Sequence, residues 1–205
     1  MHYAEVAVVA LIGYLLGTFP SAILVAKSNG IDITSRGSGN PGASNVARTL
    51  GWKRGVLVYA LDALKGVVAV VIGRMVAGDA GAFWCAAAAI IGHMYPATRG
   101  FRGGKGVATG SGTMVVLQPI VSAILFAAWF GIAKTTKKAS IASVVVTVGL
   151  PIGMAIRGTA AWQVAAMAGL AMLVVAKHVP NLRRLRAGTE LSVDSGDQSN
   201  GRNAA

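Results

Sequence analysis

Seven apolar runs, at about 4–26, 55–77, 81–95, 107–117, 120–133, 141–156 and 161–179, fill most of this 205-residue chain, and clusters of Gly, Pro or charge separate them. A hydrocarbon core of ~30 Å takes roughly 20 apolar residues per helical span, and only helices or closed barrels satisfy the backbone there. The runs therefore predict an all-α integral membrane protein, a bundle of about seven transmembrane helices, some of them short or broken. Pro119 divides what would otherwise be one long helix over 107–133. With 54% hydrophobic and 13% charged residues, no separate soluble domain fits. The first run continues past Pro20 with no basic segment ahead of it, which argues against a cleaved signal peptide.

The formal charge of +12 would suit nucleic acid, an anionic membrane face or an anionic substrate, so the positions of the charges decide. Of the 19 Lys and Arg, sixteen fall in the first, third and fifth connections and the tail. The other side holds only Arg74 and Arg157, and Lys65 lies inside a run. Positive residues mark cytoplasmic loops, which places the N-terminus outside and the C-terminus in the cytoplasm. Trp52, Trp84, Trp129 and Trp162 fall near the proposed span ends, where amphipathic rings favour the interface. Residues 1–186 form one transmembrane domain, and the polar stretch 187–205 is expected to be a disordered cytoplasmic tail. The single Cys85 sits in an apolar run and reads as a packing residue, which leaves no disulfide and no cysteine-built metal site.

Three cytoplasmic connections carry the polar chemistry. In the first, Gly37-Ser38-Gly39-Asn40-Pro41-Gly42, Asn40 reads as an N-cap and Pro41 as the first residue of a short helix, whose amides would make an anion site beside Ser38. Ser44 and Arg48, four apart, share a face of that helix. The same glycines match a dinucleotide fingerprint, but an apolar run rather than a strand precedes them. In the second, Gly103, Gly104 and Gly106 flank Lys105 at a helix start and resemble a phosphate cradle. It is not a Walker A loop, because Arg99 and Gly106 stand where that pattern needs glycine and a hydroxyl. His93 precedes the cradle. The third connection places Thr136, Ser140 and Ser143 at i, i+4 and i+7 on one helix face, and His178 and Asn181 end the last run. Asp62 and Lys65, at i and i+3 inside the second run, form a mutually neutralising pair.

Taken together, Gly-Ser-Gly-Asn-Pro-Gly-Ala-Ser-Asn-Val-Ala-Arg at 37–48, Asp62-x-x-Lys65-Gly66, Gly-His-Met-Tyr-Pro at 92–96, Phe-Arg-Gly-Gly-Lys-Gly-Val-Ala-Thr at 101–109, Ser140-x-x-Ser143 and His178-x-x-Asn181 resemble the bacterial membrane acyl-phosphate:glycerol-3-phosphate acyltransferases. The likeness runs over about residues 3–190. It implies an enzyme of the bacterial plasma membrane that moves a fatty acyl group from acyl phosphate to the 1-hydroxyl of sn-glycerol 3-phosphate, an early step of phospholipid synthesis. It implies phosphate binding by Ser38, Arg48, Lys105 and the Gly103–Gly104 amides, with Gly39, Asn40, Ser44, Asn45 and Ser140 or Ser143 completing the polar site. His93, His178 and Asn181 would orient glycerol phosphate or its hydroxyl, while Asp62 and Lys65 fit a structural pair at least as readily as a direct substrate contact. Its partners would be the two substrates and membrane lipid, with no nucleic acid, no metal and no cofactor. Ser44 stands where Thr is usual, Val179 where Arg often follows the His, and residues 97–100 replace a more apolar stretch.

The residues agree with that chemistry. An acyl phosphate is a mixed anhydride with a good leaving group, so attack by a hydroxyl needs orientation and charge stabilisation more than a strong protein base. The His-x4-Asp dyad of other glycerol-phosphate acyltransferases is excluded, since Thr98 and Arg183 occupy the aspartate positions. A transporter or channel for an organic phosphate would want polar residues continuing across the bilayer, but Asp62 and Lys65 are the only charged pair there. A lipid-binding scaffold would not need the clustered glycines.

Overall fold

The computed structural model describes residues 3–193. Among these the regular structure is helical: α1 (Tyr3–Gly17), α2 (Ser21–Lys27), α3 (Ala43–Leu50), α4 (Trp52–Met94), a 3₁₀ turn (Ala97–Arg99), α5 (Val107–Leu117), α6 (Pro119–Thr136), α7 (Ala139–Ile156), α8 (Ala161–Lys177) and α9 (Val179–Arg186). Each of the seven apolar runs is helical, with α1 and α2 sharing the first run across a break at Pro20. Four segments are long and apolar enough to cross a membrane, namely Tyr3–Lys27, Trp52–Arg99, Pro119–Thr136 and Ala139–Ile156; α8 and α9 make a fifth that is bent by 50°. α4 covers two of the runs, and Ala77 and Gly78, which leave helical geometry with Gly78 at φ +61°, divide it into two arms. The break at Pro119 is also real, since α5 ends at Leu117 and α6 begins on the proline.

The helices meet through small residues. A Cβ on Gly13 would lie 2.2 Å from the Cys85 carbonyl oxygen, and one on Gly17 2.2 Å from that of Ala89. The Gly-x-x-x-Gly face of α1 thus rests directly on the backbone of the second arm of α4, as close packing in an apolar solvent favours. Cys85 is buried in that seam with a free thiol, the packing role its setting suggested. Large apolar side chains such as Leu11, Leu15, Leu64, Ile124, Ile152 and Met172 face outward, as a lipid-solvated surface requires. Trp84 and Trp162 stack at 6.1 Å beside Phe83. The indole N–H of Trp129 donates to Ser143 Oγ at 3.1 Å, tying α6 to α7.

The polar stretch after α9 also departs from expectation. Instead of remaining loose from residue 187, the chain turns back at Gly188 and packs as far as Val193, whose N–H donates to the Lys137 carbonyl, while Glu190 is buried. The expected remainder of that tail, 194–205 with Arg202, lies outside the described residues.

Candidate active site

The three glycine- and hydroxyl-bearing connections and the chain after α8 converge at one end of the bundle, around a cavity of about 780 Å³. Its polar wall includes Ser38, Asn40, Ser44, Arg48, His93, Lys105, Ser140, Ser143, His178 and Asn181. Its other walls are apolar, from Met114, Phe126, Leu150, Met167, Leu170 and Val174 of α5 to α8. One continuous space therefore joins a cationic mouth to a hydrocarbon-lined interior.

The first connection reaches this place by a route the sequence did not suggest. α3 begins at Ala43 with the extended Gly42 as its N-cap, and no side chain caps it. Asn40 is therefore not the cap and Pro41 lies outside the helix. The reason is Asn45, which was expected among the substrate ligands. Its Oδ1 accepts from the Ser38 N–H at 2.9 Å, and its Nδ2 donates to the carbonyls of Ile33 and Arg36. With both amide hydrogens committed to the loop, Asn45 fixes Gly37–Gly39, and it also lines the cavity. Gly37 and Gly39 adopt φ of +56° and +69°, the left-handed region that glycine enters freely. Ser44 and Arg48 do share the cavity face of α3.

Arg48 faces the cavity with part of its guanidinium uncommitted. Its Nε donates to the Ser192 carbonyl at 3.1 Å, while Nη1 is buried with no partner. A buried guanidinium N–H without an acceptor is costly, and a phosphate oxygen in the adjoining cavity would satisfy it. Burial lowers the Arg48 pKa, partly offset by the Glu190 carboxylate, but an arginine keeps its charge.

Lys105 lines the same cavity, just ahead of Gly106, which caps α5 at φ +88°. Lys105 Nζ donates to Asn181 Oδ1, and burial lowers its pKa to about 8 although Glu190 opposes the shift. The Gly103–Gly104 segment lies on His93. A Cβ on Gly103 would be 2.1 Å from the His93 carbonyl oxygen, and one on Gly104 2.2 Å from His93 Nε2. The Gly104 N–H donates to that same carbonyl at 3.1 Å, so this amide is already engaged by protein. Behind His93 lie Lys65 and Asp62, paired at 2.9 Å as expected, with Lys65 Nζ also 2.9 Å from His93 Nδ1.

His178 is held at the last bend. Its Nδ1 lies 2.8 Å from the Val174 carbonyl, which can only accept, so Nδ1 carries the proton and Nε2 is left as an acceptor. Ser140 and Ser143 take different partners, since Ser143 accepts from Trp129 and Ser140 donates to Glu190 Oε1 at 2.8 Å. Thr136 does not join them on one face. Lys137 at φ +58° ends α6 after Thr136, and α7 starts at Ala139.

Glu190 is the residue that sequence reasoning missed. Its carboxylate accepts from Ser140, from Asn181 Nδ2 at 2.6 Å and from Arg184 Nε at 2.8 Å, while Lys138 donates to its backbone carbonyl. Burial pushes its pKa up, but these donors outweigh burial and hold it below the usual carboxylate range. The available signal was its position, the first acid to follow Arg183, Arg184 and Arg186 in the chain.

Fold and site together define a helical integral membrane protein in which cationic and hydroxyl-bearing side chains border an apolar cavity. Comparison with known proteins narrows the class. The family model described as glycerol-3-phosphate acyltransferase matches residues 7–188. Curated relatives include the glycerol-3-phosphate acyltransferase of Geobacter sulfurreducens, 38% identical over 89% of this chain and 95% of its own length. Glycerol-3-phosphate acyltransferase 2 of Bacillus cereus is 40% identical over 88% of this chain and 91% of its own. Crystal structures of PlsY (YgiH), an integral membrane glycerol 3-phosphate acyltransferase, superpose with TM-scores of 0.87 in the glycerol 3-phosphate form and 0.84 in the lysophosphatidic acid form. Both are 34% identical and cover 91% of this chain and 94% of theirs. The chain belongs to the glycerol-3-phosphate acyltransferase family.

Proposed function

We propose that this protein transfers a fatty acyl group from acyl phosphate to the 1-hydroxyl of sn-glycerol 3-phosphate at the cytoplasmic face of a bacterial plasma membrane. The observation that carries this reading is the single cavity that joins the unpartnered Arg48 Nη1 and Lys105 to an apolar interior. Both substrates are phosphate-bearing and one also brings a hydrocarbon chain, and such a cavity offers each group its proper solvent. Relatives named for glycerol 3-phosphate supply the acceptor.

Arg48 and Lys105 hold phosphate oxygens, with Ser38 and Ser44 as hydroxyl donors beside them. The acyl chain lies along α5 to α8. The glycerol 2-hydroxyl donates to the Nε2 lone pair of His178, which orients the neighbouring 1-hydroxyl oxygen toward the acyl carbonyl. That oxygen attacks the carbonyl carbon, the bond from carbon to the phosphate oxygen breaks, and phosphate leaves with the electron pair. The hydroxyl proton passes to a phosphate oxygen, so the products are 1-acylglycerol 3-phosphate and phosphate. The two cations offset charge as it gathers on the leaving phosphate, an electrostatic contribution that needs no protein nucleophile. Residues 1–186 act as one catalytic domain, and Glu190, just beyond it, closes the site by holding Ser140, Asn181 and Arg184 together.

The test supplies purified protein with acyl phosphate and labelled glycerol 3-phosphate, and the expected product is labelled lysolipid. Acyl-CoA and acyl carrier protein should give none. Turnover with either thioester and none with acyl phosphate would replace the proposed donor.

A further inference from the structure

Asp62, Lys65 and His93 form a buried cluster behind the glycine loop, each with 6% of its surface or less exposed. Lys65 Nζ is 2.9 Å from Asp62 Oδ1, 3.2 Å from the Phe19 carbonyl oxygen and 2.9 Å from His93 Nδ1. An ammonium offers only protons, so it must donate to His93 Nδ1, and the imidazole proton must reside on Nε2. That Nε2 edge is the one packed under Gly104, where a side chain would otherwise lie. His93 also lines the cavity and gives its carbonyl to the Gly104 amide. His178, held by Val174, has the opposite tautomer, so the two histidines present a donor at His93 and an acceptor at His178.

An apolar pair could fill the space of Asp62 and Lys65 without the expense of burying charge. It could not donate to Nδ1. Were Lys65 removed alone, the Asp62 carboxylate, 3.7 Å from His93 Nδ1, would draw the ring proton onto that nitrogen and turn the Nε2 lone pair toward the loop.

Resting on the acyltransferase reading above, we propose that Lys65, clamped by Asp62, is a positioning residue that holds His93 with its proton on Nε2 beneath the Gly103–Lys105 loop. It thereby sets affinity for glycerol 3-phosphate rather than the rate of acyl transfer.

The test compares wild type, Lys65→Met and the double variant Asp62→Asn/Lys65→Met, which removes both charges and leaves no lone buried ion to unfold the protein. Steady-state kinetics with acyl phosphate and glycerol 3-phosphate separate KM from kcat. In parallel, ¹⁵N NMR of histidine-labelled protein in detergent, with His93 assigned by its loss in His93→Gln, reports which ring nitrogen is protonated. The expected result is a neutral Nε2–H ring in wild type and proton on Nδ1 in Lys65→Met. In both variants KM for glycerol 3-phosphate rises on the order of tenfold or more, the worth of one donor to a charged group, while kcat changes less than about threefold. A wild-type ring protonated on Nδ1, or a double variant with wild-type KM, would overturn the proposal, because the pair would then only neutralise itself. Absence of wild-type turnover would count against the proposed function, and the NMR arm would still decide the tautomer.

Discussion

Replacing Glu190 by glutamine tests whether the returning chain is part of the site or merely lies beside it. The substitution keeps size and one carbonyl oxygen, so Ser140 retains an acceptor. It removes the charge that meets Arg184 at 2.8 Å and opposes Arg48 and Lys105. Breaking a fully buried ion pair from one side costs about 3–5 kcal/mol. The Arg184 side chain is 30% exposed, so solvent recovers part of this, and the expected loss is about 2–3 kcal/mol. At roughly 2–4 °C per kcal/mol for a chain of this size, Tm should fall by about 4–12 °C. Cys85 supplies the assay, because it is the only cysteine and is 0% exposed, so a thiol-reactive dye responds only as the helices part. Arg48, Lys105 and Arg184 are then left without their carboxylate, and inorganic phosphate should raise the Tm of Glu190→Gln more than that of wild type. An unchanged Tm, or equal stabilisation of both proteins by phosphate, would refute the reasoning.

Arg48→Ala should lower turnover by on the order of 10²–10³ in a protein that still folds, and Arg48→Lys should also be poor because an ammonium lacks the two-pronged geometry; initial rates with the unfolding assay as control decide both. Lys105 has a pKa lowered to about 8, so its charge is lost as pH rises through that value, and kcat/KM should fall above about pH 8 in wild type and keep its level to higher pH in Lys105→Arg. Gly17→Ala should destabilise the bundle by about 1–3 kcal/mol, since its methyl meets the Ala89 carbonyl oxygen at 2.2 Å. Gly131→Ala in α6, with nothing within 4 Å, should be neutral or gain up to about 1 kcal/mol of helix propensity, as thermal unfolding will report. In a Cys85→Ala background, an impermeant thiol reagent added outside intact cells should label Arg157→Cys and not Arg36→Cys, and the reverse pattern would invert the orientation.

What could be read from the sequence is what depends on neighbours along the chain. Apolar runs fix helices because a membrane leaves the backbone no other partner, so the break at Pro119 falls where local chemistry puts it, whereas the first run, expected to continue past Pro20, is broken there. The Asp62–Lys65 pair is likewise an i, i+3 relation on one helix. Errors arise where a side chain had two local choices and a distant group settled the matter. Asn40 is a sound N-cap by composition, but Asn45 binds the backbone of residues 33–38 and draws the helix start back to Ala43. Thr136, Ser140 and Ser143 fit a helical face in spacing, but the turn at Lys137 separates the first from the others. Glu190 has no local reading, because polar composition says only that such a stretch need not pack. Its order comes from charge: several cations meet at one end of the bundle, and a buried cluster of one sign requires a counterion. The described chain supplies it from the one carboxylate that can return there. Under the proposed function a substrate phosphate answers the same requirement from solution, and the proposed anion binding and the folding of residues 187–193 then have one electrostatic cause.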